Sequence, residues 1–283
     1  MSRIAYVNGS YIAHNSASVH IEERGFQFAD SVYEVVYVYK SKLIDQKRHL
    51  DRLDHSLNEL MIEWPVKRSA LEIIIKQIIK KNLIKTGLVY LQVSRGSSPR
   101  DFPFPKGVKP TLVVTARPLK PFNPENALKG MEVTTLPDIR WERCDIKTTQ
   151  LLPAAISKQK ALDSGVSDAW FVNEDNIVTE GTSNNAWIVT QDNKLKTRPA
   201  SHAILNGITR QAILELAHLE NIDVSEEAFS LEEALNAKEA FVSSASACVK
   251  PVTKINDHVI GDGQVGEITR KIAQYYVGFL EKQ

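Results

Sequence analysis

Residues 32–39 read Val-Tyr-Glu-Val-Val-Tyr-Val-Tyr and are dense in β-branched and aromatic side chains. Such side chains pack well on a pleated surface, so the run predicts a β-strand. In later segments apolar residues recur at helical spacing, which predicts helices. The other strands predicted for this half are 4–7, 88–94 and 111–116, and the predicted helices are 46–62 and 71–79. This mixture predicts an α+β domain over residues 1–117.

Three prolines lie close together in the segment 117–124, RPLKPFNP. Proline fixes φ and lacks a backbone N–H, so the segment resists both a helix and a central strand. We therefore predict an interdomain linker at 118–126 and a larger C-terminal domain over 127–283. The strands predicted there are 132–136, 169–172, 186–189 and 240–243, and the predicted helices are 153–164, 208–220 and 265–280. The expected fold class is α/β, of the α+β kind, in two domains.

The composition limits the class of function. The chain has 283 residues, of which 43% are hydrophobic and 24% charged, as is ordinary for a globular protein. Its 35 basic and 34 acidic residues create no net field for nucleic acid or an anionic membrane, so a small-molecule partner is expected. Two cysteines, Cys144 and Cys248, fit a reducing cytoplasm. We expect no secretion signal, membrane span or metal site.

The segment 138–149, DIRWERCDIKTT, holds a candidate reactive amine. Arg140 and Arg143 place positive charge near Lys147, and Trp141 and Ile146 supply apolar surface. A lysine that is desolvated beside other cations loses proton affinity, and its neutral amine forms Schiff bases. The segment alone also fits a solvated surface lysine.

Four other stretches carry polar groups that suit a phosphorylated ligand. Glu180 ends a β-like run and precedes small polar residues, which is also typical of a turn. Gly207 leads into a helix whose first N–H groups, with the Thr209 hydroxyl, could cradle a phosphate or could simply form a helix cap. The hydroxyls of 243–246 could bind a second phosphate edge or satisfy loop backbone. Arg52 could pair with a phosphate or with a neighbouring acid.

Several motifs occur in order along the chain: GFQFADSVYEVV, HLDRL, YLQVSRGSSPR, DIRWERCDIKT, DAWFVNEDNIVTEGTSNNAWIV, ILNGITRQAI and GEITR. This set resembles the fold-type IV pyridoxal-phosphate-dependent aminotransferases, and among them it is most similar to the D-amino-acid (D-alanine) transaminases. The resemblance implies a homodimer with two α/β domains per subunit, pyridoxal 5'-phosphate between the domains and an active site completed by the partner subunit.

The resemblance also implies a role for individual residues. Lys147 matches the lysine that holds the cofactor as an aldimine and moves the substrate proton, and Glu180 matches the acid paired with the pyridine nitrogen. The other cofactor-binding positions that it implies are Arg52, Leu205, Ile208, Thr209 and Ser244. Tyr33 and Arg100 match residues around the substrate carboxylate. The implied reaction is a ping-pong transfer, through aldimine and ketimine, from a D-amino acid to a 2-oxo acid such as 2-oxoglutarate.

Two departures from the D-specific pattern bear on the substrate. That pattern has a histidine two positions after the carboxylate-binding arginine, where this chain has Phe102. Ala245 stands where the family often has a second hydroxyl. Two alternatives on the same fold therefore stay open, a branched-chain L-amino-acid transaminase and a 4-amino-4-deoxychorismate lyase. The retained Arg100 argues against the first of them.

Overall fold

The computed structural model describes residues 3–120 and 128–282. These residues form two compact units. In the described chain, the first unit comprises 3–120 and 146–150, and the second comprises 128–145 and 151–282. The prediction assigned residues 146–150 to the second domain, whereas they pack with the first unit. Residues 121–126 of the predicted linker lie outside the described residues.

The first unit contains a six-stranded sheet. Its strands are β1 (Ile4–Val7), β2 (Ser10–Ala13), β3 (Ser31–Tyr39), β4 (Lys42–Leu43), β5 (Gly87–Ser94) and β6 (Thr111–Pro118). They lie in the order β2-β1-β6-β5-β3-β4, and every neighbouring pair is antiparallel. The strand predicted at 32–39 is confirmed as β3. It pairs along its length with β5, and Tyr33 stands opposite Gln92.

Three α-helices accompany this sheet: α1 (Arg24–Phe28), α2 (Gln46–Glu59) and α3 (Arg68–Lys81), with a short 3₁₀ turn at His14–Ser16. Helix α2 ends before the predicted residue 62 because Met61 takes the left-handed conformation, with φ of 53°. Its buried face packs on β3. That face includes two polar side chains, His49 and Ser56, beside its buried leucines. Both prove important for the candidate site.

The second unit contains a nine-stranded mixed sheet. Its strands are β7 (Met131–Pro137), β8 (Asp168–Val172), β9 (Val178–Gly181), β10 (Asn185–Val189), β11 (Leu195–Thr197), β12 (Val224–Glu226), β13 (Glu239–Ser244), β14 (Cys248–Ile255) and β15 (His258–Val259). The order is β12-β11-β10-β13-β14-β7-β8-β9, and β15 pairs with β14. Parallel pairs join β7 to β8 and to β14, and β11 to β12.

Within residues 128–282, the helices of the second unit are α4 (Leu152–Asp163), α5 (Ile208–Leu219), α6 (Leu231–Leu235) and α7 (Glu267–Lys282). The predicted helices and strands of this half are confirmed, with ends that shift by one or two residues. An apolar cluster around Trp170 and Phe229, whose rings meet edge to face with centroids 6.4 Å apart, forms part of its core. None of the helices in 3–120 or 128–282 has the length and apolar character needed to cross a membrane.

Candidate active site

The backbone of Lys147 is fixed within the first unit. The segment 146–150 runs antiparallel to the start of β3, where Tyr33 N–H donates to the Lys147 carbonyl over 2.9 Å and Thr149 N–H donates to the Ser31 carbonyl over 3.1 Å. Lys147 N–H donates in turn to Ser56 Oγ on α2, at 3.2 Å. Strand β3 and helix α2 therefore fix the backbone of the lysine from two sides, and neither of these hydrogen bonds uses its side chain.

The side-chain nitrogen of Lys147 lies over an aromatic ring. Its Nζ is 4.2 Å from the centroid of Tyr33, at the distance of a cation–π contact. Tyr33 stacks on Tyr90, with centroids 5.7 Å apart. Burial, reinforced by Tyr33, raises the pKa of Tyr90 to about 12, so its hydroxyl stays neutral and donates to Gln92 over 2.7 Å. The structure thus brings together two of the predicted site residues, Lys147 and Tyr33.

Arg52 binds a buried acid, Glu34, that no sequence motif marks as a site residue. Glu34 on β3 is fully buried, and Arg52 grips it with two hydrogen bonds, Nε to Oε1 at 2.8 Å and Nη2 to Oε2 at 2.9 Å. His49 Nδ1 lies 2.7 Å from Glu34 Oε2. The sequence left open whether Arg52 pairs with a phosphate or with a neighbouring acid. The structure shows the pair with an acid, and contact with a phosphate stays a prediction.

The charges of this cluster are set by the three groups together. Burial alone would raise the pKa of Glu34, but the charge and hydrogen bonds of Arg52 and His49 outweigh it and hold this pKa well below its ordinary value. Burial lowers the pKa of His49, and the positive charges of Arg52 and Lys147 add to that effect against Glu34. Glu34 is therefore ionised, and a neutral His49 donates to it from Nδ1.

We predict that Glu34→Gln lowers the free energy of unfolding by about 3–5 kcal/mol at pH 7, because it removes the buried carboxylate that Arg52 and His49 bind. The folded pKa of Glu34 lies below the unfolded value of about 4.3. Its contribution is therefore full above that pH and is lost as the pH falls through the folded pKa. Urea unfolding from pH 7 to pH 2.5 should show the gap between wild type and variant closing below about pH 4.

The exposed Glu63 offers a matched control, since Glu63→Gln removes a charge of the same kind without breaking a buried pair. It should stay within about 0.5 kcal/mol of the wild type. A gap for Glu34→Gln that is no larger than for this control, or that is constant with pH, would contradict the prediction.

Arg100 lies in the loop between β5 and β6, against aromatic rings. Its guanidinium carbon is 5.1 Å from the centroid of Phe28 and 5.9 Å from that of Phe102. Arg24 holds the loop by donating to the Asp101 carbonyl over 2.6 Å, and the Asp101 carboxylate accepts from Phe102 N–H. The acid next to Arg100 is thus engaged with its own turn. Phe102, which replaces the expected histidine, is 76% exposed.

Glu180 lies in the second unit and is held by three donors. Arg140 Nη1 donates to Oε1, Asn185 Nδ2 donates to Oε2 over 3.0 Å, and Leu205 N–H lies 3.3 Å from both oxygens. The residue is 6% exposed. Hydrogen bonds from a cation and two amides favour the ionised form of a carboxylate. Glu180 is therefore a fixed negative charge.

Arg140 connects Glu180 to a second acid. Its Nε and Nη2 donate to the two oxygens of Asp138, at 2.9 and 2.7 Å, and Thr179 Oγ1 donates to the same carboxylate. Burial would raise the pKa of Asp138, but Arg140 and Thr179 lower it. The sequence predicted that Arg140 and Arg143 place positive charge near Lys147. Instead Arg140 is engaged with these acids and Arg143 pairs with Asp145.

Cys144 lies close to this group of charges. Burial raises the pKa of its thiol to about 12; Arg140 opposes the shift, whereas Glu180 and Asp138 add to it. Its Sγ donates to the Trp141 carbonyl, 3.1 Å away. The thiol therefore stays protonated, which suits a packing role.

The start of helix α5 lies next to Glu180. Gly207 is the N-cap residue, and no side chain caps the helix from that position. Ile208 and Thr209 are buried at its first positions, and Leu205 bonds to Glu180 just before it. The structure thus brings four predicted site residues of the second unit together.

Ser244 ends strand β13, where its Oγ accepts from Ala247 N–H at 3.1 Å and lies 3.5 Å from Ser246 Oγ. The loop hydroxyls therefore satisfy loop backbone, one of the two possibilities that the sequence leaves open. A role of Ser244 toward a cofactor stays a prediction.

A model of the amino-transferase class IV family matches residues 31–255. The chain belongs to this family. It is 35% identical over 280 residues to the D-alanine aminotransferase of Staphylococcus haemolyticus, covering 98% of both chains. It is 38% identical over 273 residues to that of Listeria monocytogenes serotype 4b (strain F2365), covering 96% of this chain and 94% of the relative.

A solved structure has the same fold. The branched-chain aminotransferase of the thermophilic archaeon Thermoproteus uzoniensis, solved with norvaline, superposes with a TM-score of 0.90 at 23% identity, over 100% of this chain and 96% of the other. At this identity the likeness shows the fold alone. Together the comparisons confirm the predicted family, the fold class and the prediction that the chain is an aminotransferase.

Proposed function

We propose that the chain is a pyridoxal-phosphate-dependent aminotransferase that moves the amino group of a D-amino acid, of the D-alanine type, to a 2-oxo acid such as 2-oxoglutarate. The observation that carries the proposal is the 35–38% identity, over nearly the full length, to proteins named D-alanine aminotransferase. The predicted catalytic lysine and acid are both present, as Lys147 and Glu180.

The donor set of the chain fits pyridoxal 5'-phosphate. Glu180, kept ionised by Arg140, Asn185 and the Leu205 N–H, suits a protonated pyridine nitrogen. The start of α5, with no side-chain cap, suits a phosphate dianion because its N–H groups and the helix dipole favour negative charge. We propose that Ile208 and Thr209 bind the phosphate there, that Arg52 and Ser244 add to it, and that Leu205 packs on the ring.

When bound, the cofactor supplies an electron sink for the carbanion formed at the substrate Cα. The chain supplies the proton transfer. The Lys147 amine takes the proton from the substrate Cα. It returns this proton to the carbon atom on the other side of the substrate nitrogen, which one tethered base can do. Glu180 keeps the pyridine nitrogen protonated by charge. We propose that Tyr33 and Arg100 bind the substrate carboxylate.

A test of the proposal is a half-reaction panel. The protein loaded with pyridoxal 5'-phosphate is mixed with the D- and L-isomers of alanine, glutamate, leucine and valine, and the loss of cofactor absorbance is followed. We expect the fastest reaction with D-alanine, and D-alanine plus 2-oxoglutarate should give pyruvate and D-glutamate with ping-pong kinetics. Faster reaction with L-leucine or L-valine than with any D-isomer would support the branched-chain alternative and overturn the substrate assignment.

The lyase alternative is separated by its product. That reaction needs no 2-oxo acid acceptor and yields 4-aminobenzoate with pyruvate from 4-amino-4-deoxychorismate. We expect none of it, and release of 4-aminobenzoate at a rate that exceeds transamination would replace the proposal.

We further propose that the enzyme is a cytoplasmic homodimer in which the partner subunit completes each active site. This proposal rests on the family to which the chain belongs. Light scattering of the purified protein would show twice the chain mass of 31.7 kDa if the dimer is right.

A further inference from the structure

The side chain of Asn185 lies between Glu180 and the loop that leads into helix α5. Asn185 is the first residue of β10 and is 4% exposed. Its Nδ2 donates both of its hydrogens, one to Glu180 Oε2 at 3.0 Å and one to the Leu205 carbonyl at 2.8 Å. Both neighbours on that side are oxygen acceptors, so the amide nitrogen belongs there.

The other end of the same amide contacts the helix start. A Cβ placed on Gly207 would lie 2.1 Å from Asn185 Oδ1, so the backbone of the N-cap residue passes directly against this oxygen. Only glycine allows that approach. One buried side chain therefore touches the acid, the loop carbonyl of Leu205 and the N-cap residue of the helix.

We infer that Asn185 is a positioning residue that holds Glu180 and the N-terminus of α5 at a fixed spacing. The inference rests on the proposed function, in which these two groups bind opposite ends of one rigid cofactor. If the distance between Glu180 and the helix start changed, the cofactor could contact one of them well only by losing contact with the other. Small displacements of a binding group have large effects on affinity. Asn185 acts through these groups and contacts no reacting atom itself.

The neighbouring residue provides a matched control. Asn184 has the same side chain, but its Nδ2 donates to Asp168 Oδ2 over 2.6 Å, and it bonds to neither Glu180 nor the helix start. Asn184 is half-buried and directly precedes β10, so the loss of either amide removes hydrogen bonds at the start of this strand. Only the loss of Asn185 is expected to disturb cofactor contacts.

The experiment compares two probes on the full-length apo protein: pyridoxal 5'-phosphate, and pyridoxal, which lacks the phosphate. Glu180→Gln should weaken both by the same factor, because it acts at the ring. Thr209→Ala should weaken the phosphorylated probe only. Asn185→Ala should raise the dissociation constant of pyridoxal about tenfold, because the ring contact is weakened. It should raise that of pyridoxal 5'-phosphate about a hundredfold, because the phosphate contact is weakened as well. Asn184→Ala should change neither.

A second variant guards against loss of fold. Asn185→Asp keeps the volume, and when protonated its hydroxyl can donate to Glu180 as the amide does. Its deficit relative to wild type should therefore shrink as the pH falls, a rescue that a purely structural role does not give. Two outcomes would overturn this inference and leave the proposed function standing. In one, both Asn185 variants lose affinity at the ring alone or at the phosphate alone. In the other, both variants bind the two probes with wild-type affinity. Failure of the wild type to bind pyridoxal 5'-phosphate would overturn both.

Discussion

Lys147→Ala is expected to lower turnover by roughly 10²–10⁴-fold, because it removes the one base that the mechanism assigns to the substrate Cα proton. The fold should survive, since the anchors of this segment are backbone groups: the Lys147 N–H to Ser56 and the Lys147 carbonyl from Tyr33. The loss should therefore appear in kcat with a nearly unchanged Tm. Steady-state transamination of D-alanine and thermal unfolding measure the two quantities.

Two controls sharpen this prediction. Lys160 is an exposed lysine of helix α4, and Lys160→Ala should keep wild-type turnover. Small primary amines added to Lys147→Ala should restore part of the rate, because a free amine can take the Cα proton once the tethered one is gone. Turnover of Lys147→Ala within tenfold of the wild type would refute the assigned role of this residue.

Local patterns predicted most of the single elements. The strand at 32–39 and the helix from 208 carry their own signals, namely β-branched residues in one and a glycine before an apolar stripe in the other. Strand β14 was missed because Cys248–Ile255 contains Pro251 and two lysines, which weaken a strand pattern. It forms because β13 and β7 flank it on both sides. Tertiary pairing here overrides the local preference.

Pairings between distant residues could not be read from the sequence. Nothing near Lys147 indicates that its segment bonds to β3, which lies far away in the chain. Glu34 gave a faint signal as one acid inside an apolar strand, and His49 stands one helical turn before Arg52. Such patterns mark single residues but do not show which residues pair with them. The pairing depends on the fold, because the fold buries the two charges together.

The same limit applies to Glu180. The family resemblance marked this acid, but only the structure shows that Arg140 and Asp138 lie behind it. One guanidinium thus serves two carboxylates, so these three side chains together carry one net negative charge. Under the proposed function, that charge would keep the pyridine nitrogen protonated.

Glu180→Gln is expected to lower kcat by about 10²–10³-fold, the scale seen when one preorganised electrostatic group is lost from an active site. Glutamine keeps the shape of the side chain, and Arg140 keeps its pair with Asp138. The change therefore removes the charge and replaces one of the two acceptor oxygens by an NH2 group, which cannot accept from Arg140 or Asn185. Rates of the D-alanine half-reaction measure the effect on the proton transfer itself, apart from acceptor binding.

Two variants separate charge from structure at this position. Glu180→Asp retains the charge with a shorter reach and should recover part of the lost rate. Glu142→Gln neutralises an exposed acid of the same segment as Lys147 and should stay within twofold of the wild type. If Glu180→Gln also stays within twofold, the pyridine nitrogen does not depend on this carboxylate. The charge that stabilises the carbanion must then come from another group.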